Sequence, residues 1–359
     1  MRKKMTVMIL PVGLRCNLAC SYCYHSGDPK RASCSEQMSD EVLQKIIVDS
    51  SYLAESVDFL WHGGEPLLAG IEHFRKSLLL QKKTSFVGRV RNMIQTNGTL
   101  LNDYWCEFLS SNRFLVSTSI DGPEAINDAN RISMNGKGSH KKVVDSIARW
   151  KQTGNKIGVV SLVTKDSVDY PKEVYKGIIA SGASSCAFHF CSQNDDGSVA
   201  VLPKKEQVIE FFKSIFDLWF ADDNPNFPIR NFKNILRAMF GGAPIECASR
   251  VGGCKGFIAI SSGGDVYPCH RFVGRPKFCI GNINKKSLAE IYNDASGIYE
   301  KMCLIPSKCG QCHLIGVCGG GCAYERLVGG GSFQSVHPEC ECKKAICDYV
   351  KKNATANKR

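Results

Sequence analysis

Apolar runs of strand length recur along the first half of the chain, at 6–12, 57–61, 92–95, 115–120, 157–163 and 187–191. Helical patterns fill the intervals. Ser39-Asp40-Glu41 opens one, with a hydroxyl cap and acids in the first turn, and Asn102 and Ser139 open two more. Six such strand–helix units predict an α/β fold: a parallel sheet covered by helices and curved into a partial, TIM-like (β/α)6 barrel over residues 1–202. Functional groups in such folds collect at the C-terminal ends of the strands.

Beyond residue 202 the pattern changes. Residues 206–220 carry Phe211, Phe212, Ile215, Phe216, Leu218 and Trp219 at helical spacing, and a shorter helix is expected at 234–240. An aromatic stripe of this kind is core rather than a cofactor box, so 203–245 reads as a helical bridge. A hairpin over 257–268 then opens a cysteine-rich second domain at 246–348, and 349–359 reads as a basic tail.

Nineteen cysteines change the picture most. Disulfide frameworks belong mostly to small secreted domains. This chain is long, its cysteine count is odd, and its first apolar run leads straight into a cysteine loop instead of a signal-peptide cleavage site. Metal ligation in a cytoplasmic protein is the better account, and no apolar run reaches the roughly 20 residues of a membrane span. The formal charge is +12. Three thiolate-bound iron–sulfur clusters would bring it to about +7. With the basic residues scattered and no stacking aromatics, no nucleic-acid partner is expected.

Cys16, Cys20 and Cys23 follow the first strand as C-x3-C-x2-C. Three thiolates in one loop can hold three irons of a cubane cluster and leave the fourth open, or form part of a zinc site. His62-Gly63-Gly64-Glu65-Pro66 follows the second strand, where paired glycines admit close backbone approach and Glu65 can accept hydrogen bonds from an ammonium group. A second cysteine system comprises Cys247, Cys254, Cys269, Cys309, Cys312, Cys318, Cys322 and Cys340, enough for two four-ligand sets, with Cys342 a rival to Cys340.

With Tyr22 before its last cysteine, the first loop resembles the signature of radical S-adenosylmethionine (SAM) enzymes. The resemblance implies that SAM chelates the open iron and is cleaved by one electron to methionine and a 5′-deoxyadenosyl radical, which takes a hydrogen atom from the substrate. By the same resemblance Gly63, Gly64, Glu65 and Pro66 cradle the SAM amino group. Tyr22, together with Thr96 and Asn97 at the end of the third strand and Ser119 and Asp121 at the end of the fourth, lines the SAM pocket, and Arg131 pairs with the SAM carboxylate. The later cysteines resemble the SPASM extension, with spacings similar to the anaerobic sulfatase maturases. That resemblance implies two auxiliary [4Fe–4S] clusters besides the SAM-binding one. Cys247, Cys254, Cys269 and Cys322 would hold one, and Cys309, Cys312, Cys318 and Cys340 the other. A peptide or protein substrate and a reducing partner such as flavodoxin or ferredoxin are implied as well.

One position departs from the maturases. There an aspartate follows the cysteine that ends the hairpin. Here Cys269 is followed by His270, and Tyr-Pro-Cys-His resembles SPASM enzymes that modify ribosomal peptides. His270 can act as a base near neutrality, and Cys191, at the end of the sixth strand, is a second candidate for chemistry. The expected function is therefore hydrogen abstraction from a ribosomal peptide and installation of a crosslink. Formation of formylglycine by a sulfatase maturase is the alternative, and a non-catalytic iron–sulfur or zinc scaffold a third reading. With five residues before the first predicted strand, a leader peptide is expected to dock elsewhere or through a separate protein.

Overall fold

The computed structural model describes residues 2–23, 36–190 and 202–356. Cys34 and Cys191 lie outside the described residues. Within them the strands are β1 (Arg2–Ile9), β2 (Ala54–Trp61), β3 (Val90–Gln95), β4 (Leu115–Ser119), β5 (Gly158–Val163), β6 (Ser185–Phe190), β7 (Phe257–Ile260), β8 (Asp265–Tyr267) and β9 (Gly281–Asn282). They form one sheet in the order β6-β5-β4-β3-β2-β1-β7-β8-β9. β1 to β6 are mutually parallel, the (β/α)6 partial barrel of the α/β fold. Met5, Val7, Ile9, Phe59, Trp61 and Ile94 are fully buried in its core.

The helices of this half are α1 (Asp40–Leu53), α2 (Ile71–Lys83), α3 (Asp103–Ser111), α4 (Glu124–Asn130), α5 (His140–Gln152) and α6 (Pro171–Ala180). Two of the predicted caps form directly. Ser39 accepts from the amide of Val42, and Asn102 from that of Trp105. Ser139 does not cap α5; its hydroxyl donates to the carbonyl of Arg131 instead.

β1 runs from Arg2, earlier than its apolar pattern predicts, because its polar start is tied to β2: Arg2 pairs with Ala54, and Lys4 Nζ lies 2.8 Å from Asp58. It ends at Ile9, where Leu10 turns off towards the cysteine loop and accepts from the amide of Gly13. The barrel stays open at β6. There the side chain of Asn231 covers the strand edge, accepting from the Phe188 amide at 2.8 Å and donating to the Phe188 carbonyl at 2.9 Å.

Two contacts were not visible in the sequence: the pairing of β7 with β1 and the packing of the last helix along the bridge helix. β7 adds in parallel to the other edge of β1, in register from Thr6↔Phe257 to Ile9↔Ile260, so the expected second domain shares a sheet with the first. The bridge helix α7 (Lys205–Ala221) buries Phe211, Phe212, Ile215 and Phe216. After α8 (Arg230–Met239), α9 (Leu288–Asp294), α10 (Ser296–Cys303) and α11 (Ala323–Gly330), the final helix α12 (Cys340–Ala356) packs along α7. Residues 349–356, placed by the sequence in a basic tail, continue this helix. Val350 is fully buried, and Tyr349 packs its ring edge on Phe216 and donates to Asp217.

Candidate active site

The Cys16–Cys23 loop leaves the C-terminal end of β1 and is held by segments that follow β2, β3 and β4. The turn after β2 clamps it through backbone alone: the Gly64 amide donates to Gly13 O at 3.0 Å and the Glu65 amide to Arg15 O at 2.9 Å. A Cβ on Gly64 would lie 2.1 Å from Arg15 O, and one on Gly63, at φ +110°, would lie 2.4 Å from Gly13 O. Glycine is required at both positions by contact with the loop itself. On another side, the Ala19 amide donates to Ile132 O and the Ser21 amide to Asn130 O. Asn97 Nδ2 donates to Asn17 Oδ1 at 2.8 Å and approaches Cys16 Sγ at 3.6 Å.

Glu65 and Arg131 each make close contacts within the protein. Glu65 is fully buried, and its carboxylate accepts from Leu67 N at 2.9 Å, Thr96 Oγ1 at 2.8 Å and Asn97 N at 2.6 Å. It joins the strand ends of β2 and β3. Burial pushes its pKa up to about 7 against these donors. The Arg131 fork is directed at Asp121, with Nε and Nη2 each 2.9 Å from a carboxylate oxygen. The Tyr22 hydroxyl donates to the same carboxylate, and Arg131 stacks over the Tyr22 ring. Tyr22, Asp121 and Arg131 thus form one buried clasp on the cysteine loop. Ser119 accepts from Gln95 Nε2 at 3.2 Å, and Pro66 begins a short 3-10 turn capped by Glu65.

The three loop thiols crowd one another. Burial pushes Cys20 up to about 12, Arg131 opposes the rise, and the neighbouring thiols of Cys23 and Cys16 add to it. Thiols crowded in this way bind as thiolates when a cation compensates them.

The later cysteines fall into two neighbourhoods. Burial pushes Cys269 up to about 12, with Cys247 and Cys322 adding to the rise, and Cys254 feels Cys322 and Cys269. Separately, burial raises Cys309, and Cys340, Cys318 and Cys312 raise it further. Cys342 points elsewhere: it is buried, and its thiol faces the carbonyl of Lys205 at 3.7 Å. The glycines between Cys318 and Cys322 allow the crossing of the two neighbourhoods. Gly319, Gly320 and Gly321 all have positive φ, and a Cβ on Gly321 would stand 2.3 Å from the His337 ring. Cys303 is hydrogen-bonded to Cys254, which lowers the Cys303 thiol and raises that of Cys254.

His270 links the halves. Its ring packs on that of His62 at 4.8 Å between centroids, and its Nδ1 lies 3.5 Å from Cys269 Sγ. His62 directly precedes Gly63, and its Nδ1 accepts the Gly63 amide at 2.7 Å. Sequence reasoning gave His62 no role; adjacency to the Gly-Gly turn was the available signal. The residue after Cys269 therefore sits beside the turn that clamps the first cysteine loop.

Comparison with known proteins agrees with this layout. Residues 10–176 match the radical SAM superfamily, and residues 253–318 match an iron–sulfur cluster-binding domain, SPASM. The serine-type anaerobic sulfatase-maturating enzyme of Bacteroides thetaiotaomicron is 32% identical over 352 residues, covering 90% of this chain and 84% of that protein. The chain belongs to the radical SAM/SPASM enzymes, with the anaerobic sulfatase-maturating enzymes among its homologues. The cysteine-type maturating enzyme of Clostridium perfringens is 29% identical over 357 residues, covering 96% of both proteins. The solved structure of native anSMEcpe with bound AdoMet and Cp18Cys peptide superposes with a TM-score of 0.86 at 28% identity, covering 99% of each chain.

This radical SAM/SPASM chain is accordingly an oxidoreductase whose cofactors are S-adenosylmethionine and [4Fe–4S] clusters, one SAM-binding and two auxiliary. The scaffold reading is set aside. Among the described residues, no helix is long and apolar enough to cross a membrane.

Proposed function

We propose that this radical SAM/SPASM enzyme oxidises a Ser or Cys side chain of a protein substrate to formylglycine. The observation that carries this reading is identity to sulfatase-maturating enzymes along nearly the whole chain, in both domains at once. It is better supported than the peptide-crosslinking function expected from the sequence, which had rested on His270 and the Tyr-Pro-Cys-His stretch around it. A peptide substrate agrees with the peptide bound in the anSMEcpe structure.

In this reading Cys16, Cys20 and Cys23 hold the SAM-binding cluster. Cys247, Cys254, Cys269 and Cys322 hold one auxiliary cluster, and Cys309, Cys312, Cys318 and Cys340 the other. When bound, SAM and its cluster supply a hydrogen-atom acceptor, and the auxiliary clusters supply a one-electron acceptor. The substrate Cβ loses one hydrogen atom, and then one electron and the Oγ or Sγ proton leave. From Ser this gives the aldehyde directly. From Cys it gives a thioaldehyde, which exchanges sulfur for the oxygen of water with loss of hydrogen sulfide. His270 accepts the departing proton, with its ring steadied against His62. Gly63, Gly64 and Pro66 shape the SAM side of the site, while Glu65, Thr96, Asn97, Ser119, Asp121, Tyr22 and Arg131 brace it.

The test is to incubate the anaerobically reconstituted enzyme with SAM, a reductant and sulfatase-derived peptides carrying Ser or Cys. The expected product is an aldehyde, read by mass and by hydrazone formation. Sustained 5′-deoxyadenosine production with no aldehyde from either peptide would refute this reading and return the crosslinking one, for which His270 in the maturases' acid position is the specific support.

A further inference from the structure

Outside the active site the described residues contain one chain of charged groups that runs from one auxiliary cysteine neighbourhood to the other. Arg271 lies two residues after Cys269, and Nη1 donates to Glu325 Oε1 at 2.9 Å. Glu325 sits in the first turn of α11, three residues after Cys322. Its Oε2 lies 2.5 Å from Nε2 of His337, which is buried. His337 precedes Cys340 by three residues, and its carbonyl accepts the Cys340 amide at 2.9 Å. Lys343, one turn into α12 from Cys340, brings Nζ to 3.0 Å from the same Nε2.

The proton arrangement follows from the contacts. His337 Nδ1 accepts the amide of Glu339 at 3.1 Å, so the ring proton is on Nε2 and is donated to Glu325. Nε2 then has no lone pair for Lys343. The field of the Glu325 carboxylate, more than the imidazole, keeps the ammonium there. Along the network the charges are Arg271 positive, Glu325 negative, His337 neutral and Lys343 positive, an excess of one positive charge before Glu339, whose carboxyl also faces Lys343, is counted. Lys343 is within electrostatic reach of both Cys318 and Cys322, one from each neighbourhood. The network passes through the slot opened by Gly321, where a Cβ would meet the His337 ring.

We propose that Arg271, Glu325, His337 and Lys343 form a positioning network between the two auxiliary clusters, with Lys343 the fixed cation that raises the reduction potentials of both. The inference rests on the ligand sets given under the proposed function. A [4Fe–4S] core on four thiolates carries about −2, and adding an electron makes it more negative. A half-buried cation between two such centres favours that electron, since charge interactions are strong away from bulk water. The electron taken from substrate at the Cys269 side would then find a matched acceptor beyond it. A divalent-cation site is the competing use of these groups, because ligand atoms of Glu325, His337 and Glu339 lie within 4.8 Å of one another. It is disfavoured by Arg271 and Lys343, which already neutralise Glu325, and by the imidazole, both of whose nitrogens are committed.

The experiment is an EPR-monitored redox titration of the reconstituted holoenzyme and of Lys343→Gln, Lys343→Arg and Glu325→Gln, with iron counted for each. Lys343→Gln should keep full iron and move both auxiliary potentials negative, Lys343→Arg should restore them, and Glu325→Gln should move them positive. The N-terminal cluster should not move in any variant. Unchanged auxiliary potentials in an iron-replete Lys343→Gln protein would overturn the proposal. So would loss of iron in both Lys343→Gln and Glu325→Gln, which would make the network structural only. Cys318→Ala separates the premise from the inference: if it loses no iron, the ligand sets themselves are wrong.

Discussion

The loop after β1 carries its three thiols within residues 16–23, but almost everything that holds it comes from far along the chain. Gly63 and Gly64 press on it from the end of β2, Asn97 from the end of β3, and Asn130 and Ile132 from the C-terminal end of α4 and just after it. The auxiliary region is organised the other way. Its thiols are spread over 247–340, and Cys322 joins neighbours some seventy residues earlier, yet the bracing groups are short-range companions of the cysteines themselves: Arg271 beside Cys269, Glu325 after Cys322, and His337 and Lys343 on either side of Cys340. The first site is a local motif with a non-local clamp made mainly of neutral backbone contacts. The second is a non-local set of ligands with local, charged braces. Steric change should therefore damage the first most, and change of charge the second.

The largest expected effect is loss of a whole centre. Changing Cys16, Cys20 and Cys23 together to Ala should remove about four irons per chain and abolish SAM cleavage while the auxiliary EPR signals persist. Continued 5′-deoxyadenosine formation in that variant would break the division of labour between the two regions.

Next comes the residue where the regions meet. His270→Ala should lower product formation by about 10²–10⁴-fold, the usual worth of a general base. Radical generation belongs to the other region, so 5′-deoxyadenosine should still form. Equal loss of both, measured in one assay, would place His270 with the SAM site instead.

Paired alanine substitutions at glycine sharpen the comparison. At Gly64 the new methyl meets a backbone carbonyl oxygen of the cysteine loop at 2.1 Å, and at Gly321 it meets the His337 side chain at 2.3 Å. Each should cost about 1–3 kcal/mol of stability in denaturant unfolding, Gly64→Ala at the upper end. Iron counts should then show which centre is lost: the SAM-binding one for Gly64→Ala, an auxiliary one for Gly321→Ala.

The smallest effect is expected from Tyr22→Phe. It removes the hydroxyl contact to Asp121 and leaves the ring under Arg131. A loss of about 0.5–1.5 kcal/mol in unfolding stability would suit one hydrogen bond in that clasp. A larger loss, or a failure to load the first cluster, would make the tyrosine a primary brace of the loop.

Much of this molecule was determined by sequence alone, because the information was local. Strand periodicity announced six βα units. C-x3-C-x2-C, Gly63-Gly64 and the later cysteine spacings pointed to SAM, three clusters and the SPASM extension, and metal ligation and tight backbone approach both demand particular residue types at particular separations. The aromatic stripe of α7 was legible as core for the same reason. The tertiary structure alone decided matters that depend on what a side chain meets. Arg131 and Glu65 look like free recognition groups in the sequence; folding brings Asp121 to the one and Leu67, Thr96 and Asn97 to the other, since a buried charge has to be paired or hydrogen-bonded. The parallel pairing of β7 with β1 joins segments some 250 residues apart, and no local pattern encodes it. That pairing carries His270 to His62, and the crossing of the cysteine neighbourhoods carries Lys343 to Glu325. Neither contact has a sequence signature, because residues that meet only through the sheet have no fixed spacing along the chain.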